Sequence, residues 1–533
     1  MSVVQSYHNL PYLTRLRGSG AFFPRGTTIT VVTGARLVLG LVLALAFALR
    51  FWGLAFGLPY VIQPDEPSVE RRALAMWLHG DLNPHYFIYP SLDYDLQAAW
   101  AWAVGHAAGL FAPDVLRHPW SHQPVYYFAG RLLTALLGTL TVLVTYLTGR
   151  LLSPRLGLTA ALFLAVAAQH VQQSHYITVD APTALFTAMT AYFALRALQR
   201  QGEGYDVALA GIAAGLAAGI KYNAGIALAL PLVAILLWRD RPWRRRAREG
   251  AIATGLCALT FLLTTPYAVL DHVSFLRDLH TINTHYTSGH PGAEGSGNAV
   301  WYIAYLGTTG LLPPLTGLAL AGLGVAVARY RRAGLVLLAF VLPYYVLLCS
   351  TVVRFDRNLL PLLPFAALLA AAGAEAIVPP LALWLRNHAA ASVVVLGVAA
   401  APSAYAAGVL DFTVTHPFSE QVAVAWADAH LPRGARIAIE NWEGNAFAQS
   451  SHGYRIAQFS SLAAQTYDWF RARGFRYLVA DSWTDGAFLS APARYPLQVA
   501  RYHELDRRAR LLVRITGDPP TRPGPTMSIY EAW

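Results

Sequence analysis

A polytopic α-helical membrane protein with a small α/β domain at its C-terminal end is the fold class this sequence predicts. Three observations predict it. Of the 533 residues, 55% are hydrophobic and only 13% are charged, a balance suited to a chain solvated mainly by lipid. Long apolar runs recur from about residue 28 to 410 and then stop. Beyond them, 411–533 has ordinary polar composition and alternates helix-like with strand-like segments.

In chain order, residues 1–30 are polar and basic without a small-residue cleavage site, so the first apolar run reads as a retained span with a cytoplasmic N-terminus. Runs long enough to cross ~30 Å of hydrocarbon fall near 31–58, 126–149, 157–175, 181–199, 206–220, 223–238, 250–270, 299–327, 334–352, 358–376 and 391–409. A weaker run, "LDYDLQAAWAWAVGHAAGLFA" (92–112), carries two aspartates and a histidine. Charge parity decides its status. The basic loops 150–155, 196–201, 238–249, 329–332 and 385–388 belong on the cytoplasmic side. Together with the N-terminus, they close the topology only if 92–112 does not cross. It is therefore expected as an interfacial or re-entrant helix inside one outer loop, 59–125. This gives about eleven transmembrane helices, a second outer loop at 271–298, and an extracytoplasmic C-terminal domain.

That domain opens with the amphipathic helix "SEQVAVAWADAHLPRG" and the strand "RIAIE". "LAAQTYDWFRARG" and "FRYLVADS" repeat the unit, and "RLLVRIT" and "MSIYEAW" add strands. No cofactor-binding loop is recognisable in it.

The net charge of +11 sits mostly in short loops, above all "WRDRPWRRRARE" (238–249), and follows the positive-inside rule. No basic and aromatic pattern of a nucleic-acid module accompanies it. Cys257 and Cys349 lie singly in apolar runs and form no CxxC or disulfide framework, which argues against thiol chemistry.

Four polar groups far apart in sequence fall on the outer face under this topology: "QPDEPSVERR" (63–72), "QQSHYITVDAP" (172–182), "KYN" (221–223) and "VVRFDRN" (352–358). The 271–298 loop joins them. Asp65 and Glu66 stand at the start of an amphipathic helix opened by Pro67. They read either as helix caps or as a general base and metal ligands at a lipid–water boundary. Asp180, at a tight turn between two spans, has the same two readings. His170 and His175, five residues apart, do not share a helical face and make a poor metal pair. His280, His285 and His290 recur every five residues, a spacing that likewise fits no zinc pattern. The Gly-rich tail after them suggests a loop able to close over substrate.

Of the 40 basic residues, 39 are arginine and Lys221 is the single lysine. It ends a Gly/Ala helix that permits close backbone approach. Its ammonium either snorkels to the interface or meets an anion at the membrane surface. Arg354 and Arg357 head a span on the same face, and Arg131 lies near the outer end of another. Cations gathered at that level suit a lipid phosphate.

Taken in order, Asp65–Glu66, "FIYPSL" (87–92), "GRLLTALLGTL" (130–140), "SHYITVD", "GLAAGIKYN" and "RFDRNLLPLLPF" resemble the membrane glycosyltransferases of the GT-C fold. They are similar to the protein O-mannosyltransferases and lipid A aminoarabinose transferases of that fold. The resemblance runs over roughly 31–410; where many relatives read His-Pro-Pro, this chain has Tyr89-Pro90-Ser91. It implies transfer of a sugar, mannose or a related hexose or pentose, from a polyprenyl-phosphate donor to a hydroxyl of a protein, lipid or glycan acceptor, with inversion. It implies Asp65 as general base with Glu66 beside it, and Asp180 as the second acid. Lys221 and Arg354, with Arg357 and Arg131, would hold the departing phosphate. Tyr222, His175, Tyr176, His285 and His290 would line the substrate site. No cofactor is required; a divalent metal, if used, would sit at Asp65 and Asp180. The near-total preference for arginine points to a prokaryotic plasma (inner) membrane. The competing reading is a multi-pass transporter of an anionic or lipid-linked substrate, which predicts mid-span charges and two similar halves. Arg50, well inside the first run, is the one residue that favours it.

Overall fold

The computed structural model describes residues 26–293, 295, 297–440, 446–450 and 452–533. Most of the segment expected as a cytoplasmic N-terminus therefore lies outside the described residues. Helical segments overlie all eleven apolar runs: Gly26–Phe51, Gln123–Arg150, Pro154–Ala165 with Ala168–Gln173, Asp180–Gln199, Asp206–Ile220, Tyr222–Leu228 with Ala229–Leu236, Trp243–Thr264, Asn298–Tyr305 leading into Leu312–Ser350, Asp356–Leu362 with Leu363–Leu385, and His388–Val414. Among the described residues, five helical stretches are long and apolar enough to cross a bilayer by length and composition: Gly34–Phe51, Gln123–Arg150, Leu312–Ser350, Asp356–Leu385 and His388–His430. This is a multi-pass membrane architecture.

Leu312–Ser350 takes in most of two expected runs, 299–327 and 334–352. Tyr330 departs from helical geometry at φ −108°, ψ 15°, and a Cβ placed on Gly334 would fall 2.7 Å from the carbonyl carbon of Ala326. Residues eight apart in a straight helix are ~12 Å apart. The chain therefore reverses at "RYRR" as a helical hairpin. The Gly/Ala helix Asp206–Ile220 packs against Trp243–Thr264 as expected: Cβ atoms on Gly211 and Gly215 would each lie 2.5 Å from a backbone oxygen of that neighbour.

The mid-span charge Arg50 is fully buried. Its guanidinium donates to the carbonyls of Ala46, Ala165 and Leu164 and lies 2.9 Å from His170 Nδ1. It thus ties the first helix to the broken end of Pro154–Ala165. This is a bundle anchor, which removes the feature that favoured a transporter.

The segment 92–112 is helical over Leu92–Gly109 and packs beside Glu66–His79, the helix that begins at the paired acids. The 271–298 loop differs from expectation. His272–Ser288 is a helix capped by Asp271, whose side chain accepts from the Ser274 amide. Asp278 Oδ2 accepts from the Phe87 amide at 2.9 Å. Capping and this docking contact order most of a segment whose polar composition read as loop.

The C-terminal domain holds a five-stranded sheet of order β2-β1-β3-β5-β4. Its strands are β1 Arg436–Glu440, β2 Arg455–Phe459, β3 Tyr477–Asp481, β4 Arg510–Ile515 and β5 Met527–Glu531. β2, β1 and β3 are parallel; β5 and β4 join antiparallel. Ile437, Ile439, Val479 and Ile529 pack under helix Ser419–His430, while Ala438, Leu478 and Tyr530 pack under Tyr467–Ala472 and Pro496–Arg508. Both faces of the central strands are covered, so these strands read as apolar runs. β2 and the helix Pro496–Arg508 lack that signal: β2 has no fully buried residue and the helix is highly charged. Gln421 Nε2 to the Gly57 carbonyl (3.0 Å) and the Val61 amide to Gln449 Oε1 (3.1 Å) fasten the domain to the bundle.

Candidate active site

Asp65 precedes helix Glu66–His79 but does not cap it. Gln63 Oε1 takes that task, accepting from the amides of Asp65 (2.6 Å) and Glu66 (2.8 Å). The Asp65 carboxylate is left free to turn outward and pairs with the Arg357 guanidinium. Arg357 in turn stands over the Phe355 ring at 4.8 Å. The Asp65 side chain remains 36% exposed.

One residue further along the same turn, Asn358 Oδ1 accepts from Lys221 Nζ at 2.8 Å, and Asp180 Oδ1 accepts from the same ammonium at 2.8 Å. Lys221 and Asp180 are buried. The turn Arg357–Asn358 therefore joins two acid–base pairs, Asp65–Arg357 in front and Asp180–Lys221 behind. Asp65, Asp180 and Arg357 share a crevice of about 10 Å³ with Ser68, Tyr89 and Thr178, room for about one water-sized group.

Outside this crevice opens a cavity of about 640 Å³ lined by Asp65, Tyr86, Tyr89, His285, Tyr286, His290, Phe355 and Arg357 from the bundle, and by Ser460 and Trp483 from the C-terminal domain. Pockets of this size take substrate-sized ligands. His285 and His290 stand with ring centroids 5.1 Å apart, and His285 stacks on Phe355 at 6.1 Å. Burial, then His290 and Arg357, lower the His285 pKa; burial and Arg357 lower that of His290 against a smaller opposing effect of Asp65. Both imidazoles are thus held towards neutrality.

Other expected residues lie elsewhere. Glu66 and Arg131 form a fully buried bidentate pair, Nε–Oε1 2.8 Å and Nη2–Oε2 2.7 Å. Arg131 also donates to the carbonyls of Leu54 and Phe56 and stacks on the Phe56 ring at 3.6 Å. With four of its five N–H donors engaged in the core, Arg131 stands away from the cavity lining, as does its partner Glu66; together they lock the chain after the first helix against Gln123–Arg150. His175 is buried between the carbonyls of Val171 and Trp52. Tyr176 packs on Phe56 at 5.6 Å, and Tyr222 donates to the Phe87 carbonyl at 2.9 Å. Arg354 stacks on Trp301 at 4.9 Å. These four stand outside the cavity lining, and Lys221 lies one layer behind it. Of the expected cations, Arg357 is the one that faces the cavity. Sequence reading did not single out Tyr86, Tyr89, Phe355 and Asn358 as site residues, although three of them lie in the quoted segments "FIYPSL" and "RFDRN". Ser460 and Trp483 carried no signal at all.

Among the described residues, no group of three or more His, Cys, Asp or Glu side chains gathers to hold a metal ion. Asp65 and Asp180 approach one crevice, but each is already engaged by a cation.

This geometry sits in a known fold. Residues 40–275 match the family model of the dolichyl-phosphate-mannose-protein mannosyltransferases. No curated protein matches the chain. Among solved structures, ArnT from Cupriavidus metallidurans bound to undecaprenyl phosphate aligns over 92% of this chain and 97% of its own, with 13% identity and a TM-score of 0.55. The oligosaccharyltransferase AglB from Archaeoglobus fulgidus, in complex with an inhibitory peptide and a dolichol-phosphate, aligns over 92% of this chain and 74% of its own, with 12% identity and a TM-score of 0.58. The Archaeoglobus fulgidus oligosaccharyltransferase tethered to an acceptor peptide gives 14% identity and a TM-score of 0.55 over 87% of this chain and 72% of that one. The chain therefore has the GT-C membrane fold, and its N-terminal half is mannosyltransferase-like.

Proposed function

We propose that the chain is an integral-membrane inverting glycosyltransferase. It moves a sugar, mannose or a related hexose or pentose, from a polyprenyl-phosphate donor to an acceptor hydroxyl at the extracytoplasmic face of a prokaryotic plasma membrane. The observation that carries this reading is the Asp65–Arg357 pair in the wall of an aromatic-lined cavity at one end of the helix bundle. The match to the mannosyltransferase family and the lipid phosphates named in two structures of the same fold support the donor class.

The chemistry follows from the pair. An arriving donor phosphate competes with Asp65 for the Arg357 guanidinium, a planar donor suited to phosphate oxygens. As Arg357 turns to the phosphate, the Asp65 carboxylate is released to accept the proton of the acceptor hydroxyl. The acceptor oxygen bonds to the anomeric carbon, the carbon–phosphate-oxygen bond breaks, and the electron pair leaves with the lipid phosphate. Arg357 stabilises the charge that builds there. Asp65 is the one carboxylate among the residues described as lining the larger cavity, which supports a single displacement with inversion, in which one carboxylate takes the acceptor proton. Asp180, Lys221 and Asn358 hold the Arg357 turn from behind. A divalent ion at Asp65 and Asp180 would find no third acidic or histidine ligand grouped with them among the described residues.

The test is direct. The purified protein is incubated with radiolabelled polyprenyl-phosphate sugars, and consumption of one of them, lost in Asp65→Asn, is expected. A wild-type protein that consumes none, or an Asp65→Asn variant as active as wild type, overturns the reading.

A further inference from the structure

The sheet order β2-β1-β3 places the topological switch point of the C-terminal domain between β1 and β3: the chain leaves β1 for β2 on one side and returns to β3 on the other. Open α/β sheets bind ligands outside the carboxyl ends of the strands at that point. Here the last residue of β1 is Glu440 and the last of β3 is Asp481. The Glu440 carboxylate fills the crevice itself. Oε1 accepts from the Leu462 amide at 2.9 Å and from the Tyr502 hydroxyl, and Oε2 accepts from the Asp481 amide at 2.8 Å. Asp481 continues the chain of bonds, its Oδ1 accepting from the amides of Trp483 (3.0 Å) and Thr484 (2.9 Å). Ser461 Oγ lies 2.8 Å from the Tyr502 hydroxyl.

One buried carboxylate thus pins the turns that follow β2 and β3. Those are the turns that carry Ser460 and Trp483 into the wall of the 640 Å³ cavity. Trp483 is 52% exposed, although burial of a ring this size is strongly favourable. Opposite it the bundle presents Tyr86, Tyr89 and Phe355, and the lining charges Asp65 and Arg357 neutralise each other.

We propose that Trp483 and Ser460 form the acceptor subsite and that the acceptor is a neutral glycan, its ring stacked on Trp483 and its hydroxyls directed at Ser460 and Asp65. The apolar C–H face of a pyranose matches an indole face, and its hydroxyl rim matches the polar tips of tyrosines. An anionic lipid head group finds no spare cation among the lining residues described here. Glu440 is a positioning residue: it touches no substrate and orients the two turns that do. The inference rests on the transferase reading for its name as an acceptor site, but glycan binding is measured without it.

The full chain, in nanodiscs, is titrated calorimetrically with cellotriose, maltotriose and mannotriose, and with a threonine-containing neutral tripeptide for comparison. At least one trisaccharide binds wild type, binding weakens by about tenfold in Trp483→Ala, and Trp483→Phe retains most of it. Trp384→Ala, exposed on the distant helix Leu363–Leu385, leaves binding unchanged. Where a donor is consumed, Glu440→Gln raises KM for the glycan more than it lowers kcat. Binding of no trisaccharide, equal binding by Trp483→Ala, or preferential binding of the peptide overturns the proposal. Trp483-dependent glycan binding in a protein that consumes no lipid-linked sugar would leave this subsite standing and overturn the transferase reading alone.

Discussion

Replacing Lys221 with methionine tests the buried heart of the site. The ammonium lies 2.8 Å from both Asp180 Oδ1 and Asn358 Oδ1, and the Lys221 and Asp180 side chains are only 8% and 1% exposed. Methionine keeps the stem and removes the charge, so Asp180 is left as an uncompensated buried carboxylate. Breaking such a pair costs about 3–5 kcal/mol, whereas replacing both partners by neutral groups is close to neutral. Lys221→Met should therefore unfold at markedly lower temperature in detergent, Asp180→Asn should also be destabilised, and the double variant should recover most of the loss. The double-mutant cycle should return a coupling above about 2 kcal/mol. A snorkelling lysine predicts the opposite, since exposed pairs contribute at most about 1 kcal/mol. A coupling below about 0.5 kcal/mol would refute the buried-pair reasoning.

Asp65→Asn should lower transfer by at least about 10²-fold with little loss of stability, because its side chain is 36% exposed; a transfer assay beside a thermal scan separates the two. Arg357→Lys keeps the charge but loses the planar fork, and should raise donor KM more than acceptor KM in steady-state kinetics. Burial foremost, with Arg357 nearby, keeps His285 and His290 below the ordinary histidine value of about 6.5. The unfolded chain then binds these protons more readily than the folded one. Their contribution to stability is complete above about pH 6.5 and is lost as pH falls through the lower folded-state values. His285→Gln should flatten the decline in melting temperature measured from pH 7.5 to 5, and an unchanged slope would count against it. A Cβ on Gly322 would clash with the Leu369 carbonyl of the facing helix. Gly322→Ala should cost about 1–3 kcal/mol, read as a lower melting temperature with the site residues intact.

What the sequence determined by itself is local. Apolar runs placed the helices because burial in lipid needs only consecutive apolar residues. The Gly/Ala stripe of Asp206–Ile220 announced close packing, and Gly211 and Gly215 deliver it. The strands "RIAIE" and "YLVAD" were legible because both their faces are covered. The segments that hold the site were legible as well, from polar residues at helix ends where charge is costly. What only the tertiary structure decided is which charge meets which. Asp65 and Glu66 are neighbours in sequence, yet one pairs with Arg357 in the cavity wall and the other with Arg131 in the core. Lys221 turned out to serve Asp180 and Asn358, 41 and 137 positions away. Helix periodicity and capping act within a few residues, whereas the partner of a buried charge is set by helix packing, on which spacing along the chain is silent. For the same reason Trp483 and Ser460 entered the cavity unannounced: a separate domain brings them there.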